Sequence, residues 1–317
     1  MSVSRLEHLL ETGQFRRCLE EALALLAAGC KTTAERVRTC AAVCRCRLEL
    51  GDWREAASAG LEALSLAQAD SDPDTLGAVL ADLGTAQLRL RQYAPALFHW
   101  RRYLRLLPRL AGARCREGAV RMQMAGVLHR LGRPARALAA YAAARRWFDR
   151  FGDERSGWAC ARAMVSICLE TGDLGRAAAL LEEGDRCLDA ESQVDHLLDW
   201  ARYRLAAGLP AEGAELAFGA LELAEGLEQQ GNAQMVLAHA AVQQARPVEA
   251  LAFALAARVS AMEGSLYSLE FDASELIFRL LRQHGRDLMD EVAADFKQQG
   301  VDIYEYLSER AIRRVVT

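Results

Sequence analysis

The chain has 317 residues, of which 52% are hydrophobic and 26% are charged, and its formal net charge at pH 7 is −4. This composition excludes a disordered chain, because there is ample apolar material for a continuous core. A net charge this small excludes a general electrostatic attraction to nucleic acid or to an anionic membrane.

The segments that would direct the chain to a membrane or to secretion are not evident in the sequence. The longest apolar run, near Ala22 to Gly29, is far shorter than the roughly 20 residues that cross a bilayer. The N-terminus carries Arg5 and Glu7 where a signal peptide has an apolar segment. The nine cysteines are an odd number without paired spacing, which indicates reduced thiols. We therefore expect a cytoplasmic protein.

Seven short stretches, taken in chain order, share one pattern of helix ends. In each, a helix-ending residue, usually glycine, is followed two residues later by an aromatic, apolar or proline residue, and three residues further by a small one. Glycine tolerates the left-handed conformation that ends a helix, and proline suits the first turn of the next helix. Each stretch therefore predicts a turn between two helices. The helix-ending residues are Gly13, Gly51, Arg91, Gly132, Gly172, Gly208 and Ala245.

Successive turns lie 36 to 41 residues apart, which is a period typical of helical solenoids. Between the turns, apolar residues recur at steps of three and four, as in Val79, Leu80 and Leu83, and no sustained alternation suggests strands. Small residues recur seven before, five after and twelve after most turns, where two helices would approach closely. We therefore predict that every element is helical.

One segment carries these features together. Leu83-Gly84, the aromatic Tyr93 after the turn, the small Ala96 and the closing Pro108 resemble one tetratricopeptide repeat (TPR) at the spacing of that family. The resemblance implies an all-α fold, a right-handed superhelical α-solenoid of antiparallel helix pairs. Because the period exceeds the usual 34 residues of the family, the helices are expected to be extended, as in repeat regions of bacterial signalling and regulatory proteins.

The resemblance covers residues 1–264, as about seven helix pairs of which the first is an N-terminal cap. Beyond it, Gly285 has the expected spacing, but Phe278 and Asp290 occupy positions that should be small. We therefore predict that residues 265–317 form a degenerate helix pair and a last amphipathic helix, Ile303 to Val315, which caps the core.

No motif for catalysis, phosphate binding or a zinc helix is evident, and we expect neither an enzyme nor a cofactor. Cys40 and Cys44 fall on one helical face and could furnish two thiolate ligands with Cys46 nearby, but further ligands are missing. These cysteines are interpreted as structural thiols, so no metal is expected. Trp100 and Trp147 are interpreted as packing aromatics.

The TPR resemblance implies a concave groove, lined by the first helix of each pair, that binds an extended peptide or a partner helix. The groove positions are expected six and ten residues before each turn. They combine cationic with apolar side chains, which suits an acidic or carboxylate-ended peptide with apolar anchors. A solvated polar face without a specific ligand is the alternative. The candidate groove residues are Arg45, Thr85, Met122, Arg162, Ser166, Arg202, Met235, His239 and Arg279.

The function predicted from these features is a non-catalytic scaffold or adaptor that binds a protein or peptide segment in the groove. The alternative is a regulatory protein that senses a ligand or peptide, changes its curvature and controls a separate effector. Neither nucleic acid nor membrane is expected as a partner. Exposed apolar residues of the last helix, such as Ile312 and Val315, offer a surface for self-association as an alternative to capping.

Overall fold

The computed structural model of the chain describes residues 3–67, 72–111, 116–184, 190–285 and 287–298. Within these ranges it holds sixteen α-helices, a 3-10 helix and no strand, and none of the helices is long and apolar enough to cross a membrane. The all-α prediction is confirmed. The helices are α1 (Val3–Glu11), α2 (Phe15–Ala28), α3 (Thr33–Leu50), α4 (Trp53–Leu66), α5 (Pro73–Arg89), α6 (Tyr93–Leu106), α7 (Glu117–Arg130), α8 (Pro134–Phe151), α9 (Glu154–Thr171), α10 (Leu174–Gly184), α11 (Ala190–Ala206), α12 (Pro210–Leu223), α13 (Leu227–Gln243), α14 (Pro247–Glu263), α15 (Tyr267–His284) and α16 (Asp287–Gln298).

The helices are paired by the predicted turns, each of which joins an odd-numbered helix to the even-numbered helix that follows. All seven predicted helix-ending residues have positive φ, including Arg91 at 58° and Ala245 at 57°, and Gly285 adds an eighth turn. After each of the seven, the next amide donates to the carbonyl five residues earlier, as Asp52 N does to Arg47 O at 2.9 Å. This bond is the one that closes a helix through a left-handed residue, so the seven turns are confirmed.

The small residues allow the two helices of a pair to approach closely. Gly84 on α5 faces Trp100 on α6, and a Cβ at Gly84 would lie 2.4 Å from the indole Nε1. Trp100 is fully buried and donates from Nε1 to Ala81 O at 3.2 Å. Ala125 of α7, which like Gly84 stands seven residues before its turn, is also fully buried. The predicted register of small residues, and the packing role of Trp100, are therefore confirmed.

The chain packs as two compact units, residues 1–161 and 162–317, and the division falls within α9. The core of the first unit includes Leu6 and Leu9 of α1, which pack with side chains of α2 and α3. In the second unit, Leu198 of α11 belongs to a core that continues through α12 and α13. Each unit thus buries apolar side chains of consecutive helices against one another.

The C-terminal pair departs from the repeat where the sequence predicts a departure. Phe278 is 67% exposed and Asp290 is also exposed, although these positions are buried in the regular pairs. Instead, α16 contributes Leu288 and Val292 to the core formed by α14 and α15. The predicted capping helix, Ile303 to Val315, lies outside the described residues, and the predicted boundary after residue 264 stays a prediction.

Candidate functional site

Each unit contains a cleft among the first helices of three successive pairs. The first-unit cleft, of about 610 Å³, lies among α3, α5 and α7, and Gly51 and Trp53 at the turn between α3 and α4 also line it. The second-unit cleft, of about 590 Å³, lies among α11, α13 and α15. Both clefts are therefore lined by the helices that the repeat pattern assigns to a binding groove.

A buried carboxylate on α5 binds two arginines in the first-unit cleft. Asp82 on α5 is only 4% exposed and accepts from Arg45 of α3 at 3.0 Å and from Arg116, beside the start of α7, at 2.6 Å. Arg45 also pairs with Glu49 at 2.8 Å. Because a buried carboxylate is costly without partners, the two guanidinium groups stabilise it and are themselves neutralised. Arg45 is therefore engaged within the protein.

A second polar contact joins α5 to α7 in the same cleft. The Thr85 hydroxyl lies 2.9 Å from Gln123 Oε1 and 3.0 Å from Ala81 O, and it can donate its single proton to either. The bond to Gln123 connects two neighbouring first helices. The two predicted groove residues that line this cleft, Arg45 and Thr85, thus take part in contacts between neighbouring first helices.

Four predicted groove residues come together in the second-unit cleft. Arg202 lies on α11, Met235 and His239 on α13, and Arg279 on α15, and all four line the same cavity. The residues between them are mostly apolar, and Met235 itself is buried. The main apolar residues of the lining are Leu205, Val236, Leu269 and Leu276.

The charged groups of the second-unit cleft are paired along their own helices. Arg202 donates to Asp199 one turn away at 3.0 Å, and exposed Arg279 lies 3.5 Å from exposed Glu275. Among the described lining residues, no side-chain hydrogen bond or ion pair joins α11, α13 and α15 across the cavity. The guanidinium groups of Arg202 and Arg279 are therefore each paired on their own helix and make no contact across the cavity.

His239 lies between these two arginines. Its side chain reaches solvent, yet protein atoms surround much of it, and this burial lowers its pKa below the ordinary 6.5. The positive charges of Arg279 and Arg202 lower its pKa further, whereas Asp272 opposes the shift. The imidazole is therefore neutral at pH 7 and has both donor and acceptor capacity.

The pairing of Arg162 shows what the sequence reasoning missed. Arg162 of α9 donates to Asp195 and to Asp199 of α11, with its Nε 2.7 Å from Asp199 Oδ2. Asp199 is buried, as Asp82 is, and each of the two stands nine residues before its turn. A carboxylate at the same register position in two first helices was the available signal for these ion-pair networks.

Two further predicted groove residues are not brought into the clefts. Met122 of α7 is partly buried and lines neither of them, and Ser166 of α9 is exposed, with its hydroxyl 3.3 Å from Glu170. Arg162 likewise lies outside both lining sets. The placement of Met122, Arg162 and Ser166 in a groove therefore stays a prediction.

The cysteine cluster of α3 is buried rather than open to a metal ion. Cys40, Cys44 and Cys46 are all at most 1% exposed, and burial raises the pKa of Cys40 to about 11. Thiols with raised pKa values are poor thiolate ligands. No group of His, Cys, Asp and Glu side chains suited to a metal ion occurs in the part of the chain that the structure describes.

Comparison with known proteins establishes the fold. No protein-family model matches the sequence, and no curated protein matches it. The apo form of the quorum sensor NprR from B. thuringiensis is 12% identical and has a TM-score of 0.63, over 99% of this chain and 97% of that one. NprR in complex with its cognate peptide NprX is 12% identical with a TM-score of 0.59, over 97% and 90%.

A tetratricopeptide repeat protein from Parabacteroides merdae is 11% identical and has a TM-score of 0.61, over 88% of this chain and 97% of that one. At such low identities the likeness concerns the fold. The predicted TPR-like solenoid of helix pairs is thereby confirmed.

Proposed function

We propose that this chain, which has the fold of tetratricopeptide-repeat proteins, is a non-catalytic protein that binds a peptide or a partner segment in the second-unit cleft. The observation that carries the proposal is the convergence of Arg202, Met235, His239 and Arg279 on one cavity whose lining combines apolar with polar side chains. A cavity of this size, with a few polar groups around apolar side chains, is typical of ligand sites.

The chemistry of the lining favours a peptide with one apolar anchor and a carboxylate. The apolar anchor would pack on Met235 and its neighbours, where it removes apolar surface from water. A carboxylate would accept from Arg202 or Arg279, because guanidinium groups bind carboxylates through two parallel hydrogen bonds. NprR, a structural neighbour, has been solved with its cognate peptide, which supports a peptide as the kind of ligand.

Charge reversal at one exposed arginine of each cleft tests this proposal. Peptides would be selected from a random library on the full-length wild-type chain, and their dissociation constants measured for Arg279→Glu and for Arg89→Glu. Both arginines are exposed cleft residues, the first in the second-unit cleft and the second in the first-unit cleft. We expect at least a tenfold loss for Arg279→Glu and less than a twofold change for Arg89→Glu. Equal effects would remove the second-unit cleft from the proposal.

One observation favours a sensory regulator as the second candidate. Asp199 accepts from Arg202 in the cleft and from Arg162 on α9, so a ligand carboxylate that draws Arg202 away would change the partners of a buried carboxylate. Ligand binding and the packing of α9 on α11 would then be coupled. Solution scattering with and without a selected peptide separates the candidates. A changed radius of gyration favours a sensor, and an unchanged one favours an adaptor.

A further inference from the structure

A third pocket, between the start of α7 and the end of α8, shares no lining residue with either cleft. It has a volume of about 400 Å³ and lies between Glu117 and Arg121 on one helix and Arg146 to Phe151 on the other. We call it the α7–α8 pocket. Its side chains are arginines and aromatic residues, a combination that the peptide-binding proposal does not use.

The α7–α8 pocket is strongly cationic. Arg121 is paired with Glu117 at 2.8 Å, but Arg146 and Arg150 have no carboxylate partner among the described residues. These two are one helical turn apart on α8, where like charges repel. An anionic ligand would relieve this repulsion, and two guanidinium groups match the oxygens of a phosphate group.

One wall of the pocket is formed by two aromatic side chains of α8 in contact with each other. Trp147 lies with its ring centroid 4.5 Å from that of Phe151, at an angle of 36° between the rings. Gly118 lets the indole approach α7, because a Cβ there would lie 2.4 Å from Trp147 Cε3. Phe151 is 60% exposed although it is one of the large apolar side chains. Arg150 Cζ lies 5.9 Å from the centroid of the Phe151 ring. Trp147 therefore packs against α7, and Phe151 adds an exposed aromatic ring beside an arginine to the pocket.

We propose that the α7–α8 pocket binds a nucleoside phosphate. The base would stack on the Trp147 and Phe151 wall, and the phosphates would accept from Arg146 and Arg150. The pocket is confined to one helix pair and has the volume of a small-molecule site, which favours a single nucleotide over a nucleic-acid strand.

Titration of the full-length chain with ribonucleoside diphosphates, with the free nucleosides and with inorganic pyrophosphate tests this proposal. At least one diphosphate should bind tenfold more tightly than its nucleoside and than pyrophosphate. Arg146→Ala combined with Arg150→Ala should weaken its binding at least tenfold, and Phe151→Ala should weaken it severalfold.

The matched control is Arg101→Ala with Arg105→Ala, since these exposed α6 arginines are also one turn apart without an ion pair among the described residues. This control should leave binding within twofold of wild type. Absence of binding at millimolar diphosphate, equal binding of pyrophosphate, or undiminished binding by the α8 double variant would each overturn the proposal. So would an affinity for single-stranded RNA that rises with strand length beyond one nucleotide.

Discussion

The two clefts occupy equivalent places on the same type of scaffold, yet their polar groups are used differently. In the first-unit cleft, Asp82 and Thr85 bond to side chains of neighbouring first helices. In the second-unit cleft, the polar contacts of Arg202 and Arg279 stay within single helices. A groove position in this repeat can therefore either join neighbouring first helices or be paired on its own helix, where we propose that it meets a ligand.

This difference shows that residue type and register position alone do not identify a binding site. Arg45 and Arg202 both stand six residues before a turn. The first reaches across to a buried carboxylate of the next first helix, whereas the second is held by a carboxylate on its own helix. The role of such an arginine depends on whether the next first helix carries a carboxylate within hydrogen-bond distance of its guanidinium group.

The largest expected effect on stability comes from removing the buried carboxylate that binds two arginines in the first-unit cleft. Asp82→Asn removes the charged partner that Arg45 and Arg116 share. We expect a loss of about 2 kcal/mol in the free energy of unfolding, below the range for fully buried pairs because both arginines are partly exposed. The control Asp272→Asn, at an exposed position of the second-unit cleft, should cost less than about 0.5 kcal/mol. Chemical denaturation measures both, and equal losses would erase the distinction between the clefts.

A smaller effect is expected at the bond between α5 and α7. Thr85→Val removes the hydroxyl that reaches Gln123, and we expect the free energy of unfolding to fall by about 1 kcal/mol. Asn232→Ala provides the comparison, because Asn232 lines the second-unit cleft without a side-chain hydrogen bond among the described residues. A greater loss for Asn232→Ala than for Thr85→Val in urea denaturation would contradict this account.

Substitution by glycine at a turn should have the same effect in both units, because the turns share one backbone geometry. Arg91 and Ala245 adopt positive φ, which costs a residue with a Cβ more than it costs glycine. Arg91→Gly in the first unit and Ala245→Gly in the second should each raise the free energy of unfolding by about 0.5 kcal/mol. Thermal denaturation checks both variants. A destabilised variant would show that the lost side chain contributes more than the relieved backbone strain.

The smallest effect is on proton binding, at one histidine of each unit. Burial lowers the pKa of His99 in the first unit, and burial with Arg279 and Arg202 lowers that of His239 in the second. In both cases the unfolded chain binds more protons as the pH falls below about 6.5, so stability present at neutral pH is lost as the pH falls toward the folded pKa. His239→Gln and His99→Gln should each reduce this loss in denaturation series from pH 7.5 to 5.

A bound peptide carboxylate should change the pKa of only one of the two histidines. It would offset the charges of Arg202 and Arg279 and raise the pKa of His239, while the pKa of His99 stays unchanged. NMR titration of the imidazole protons with and without a selected peptide measures both values. A change in the pKa of His99 alone would indicate that the peptide binds in the first unit, against the proposal.

The helix pairs could be predicted from the sequence because their determinants are local. Glycine at Gly51 and proline at Pro134 specify where one helix ends and the next begins. The turns at Arg91 and Ala245 lack glycine, but the spacing of their neighbours is enough to locate them. Close approach at Gly84 follows from its register in the same way.

The roles of the groove residues could be predicted only in part, because they depend on contacts between repeats. Arg116 is 34 residues from Asp82, and Arg162 is 37 from Asp199, so each pairing depends on the stacking of successive helices. The exposure of Phe151 could not be predicted either, because the sequence does not distinguish an exposed aromatic residue near a helix end from one that packs in the core.

The most direct test of the difference between the clefts is methyl NMR of the full-length chain labelled at its methionines. Met235 lies in the second-unit cleft, whereas Met124 is buried in α7 beside the first. On addition of a selected peptide, we predict that the Met235 methyl signal shifts while that of Met124 stays in place. A shift of Met124 with an unchanged Met235 would contradict the assignment of ligand binding to the second unit.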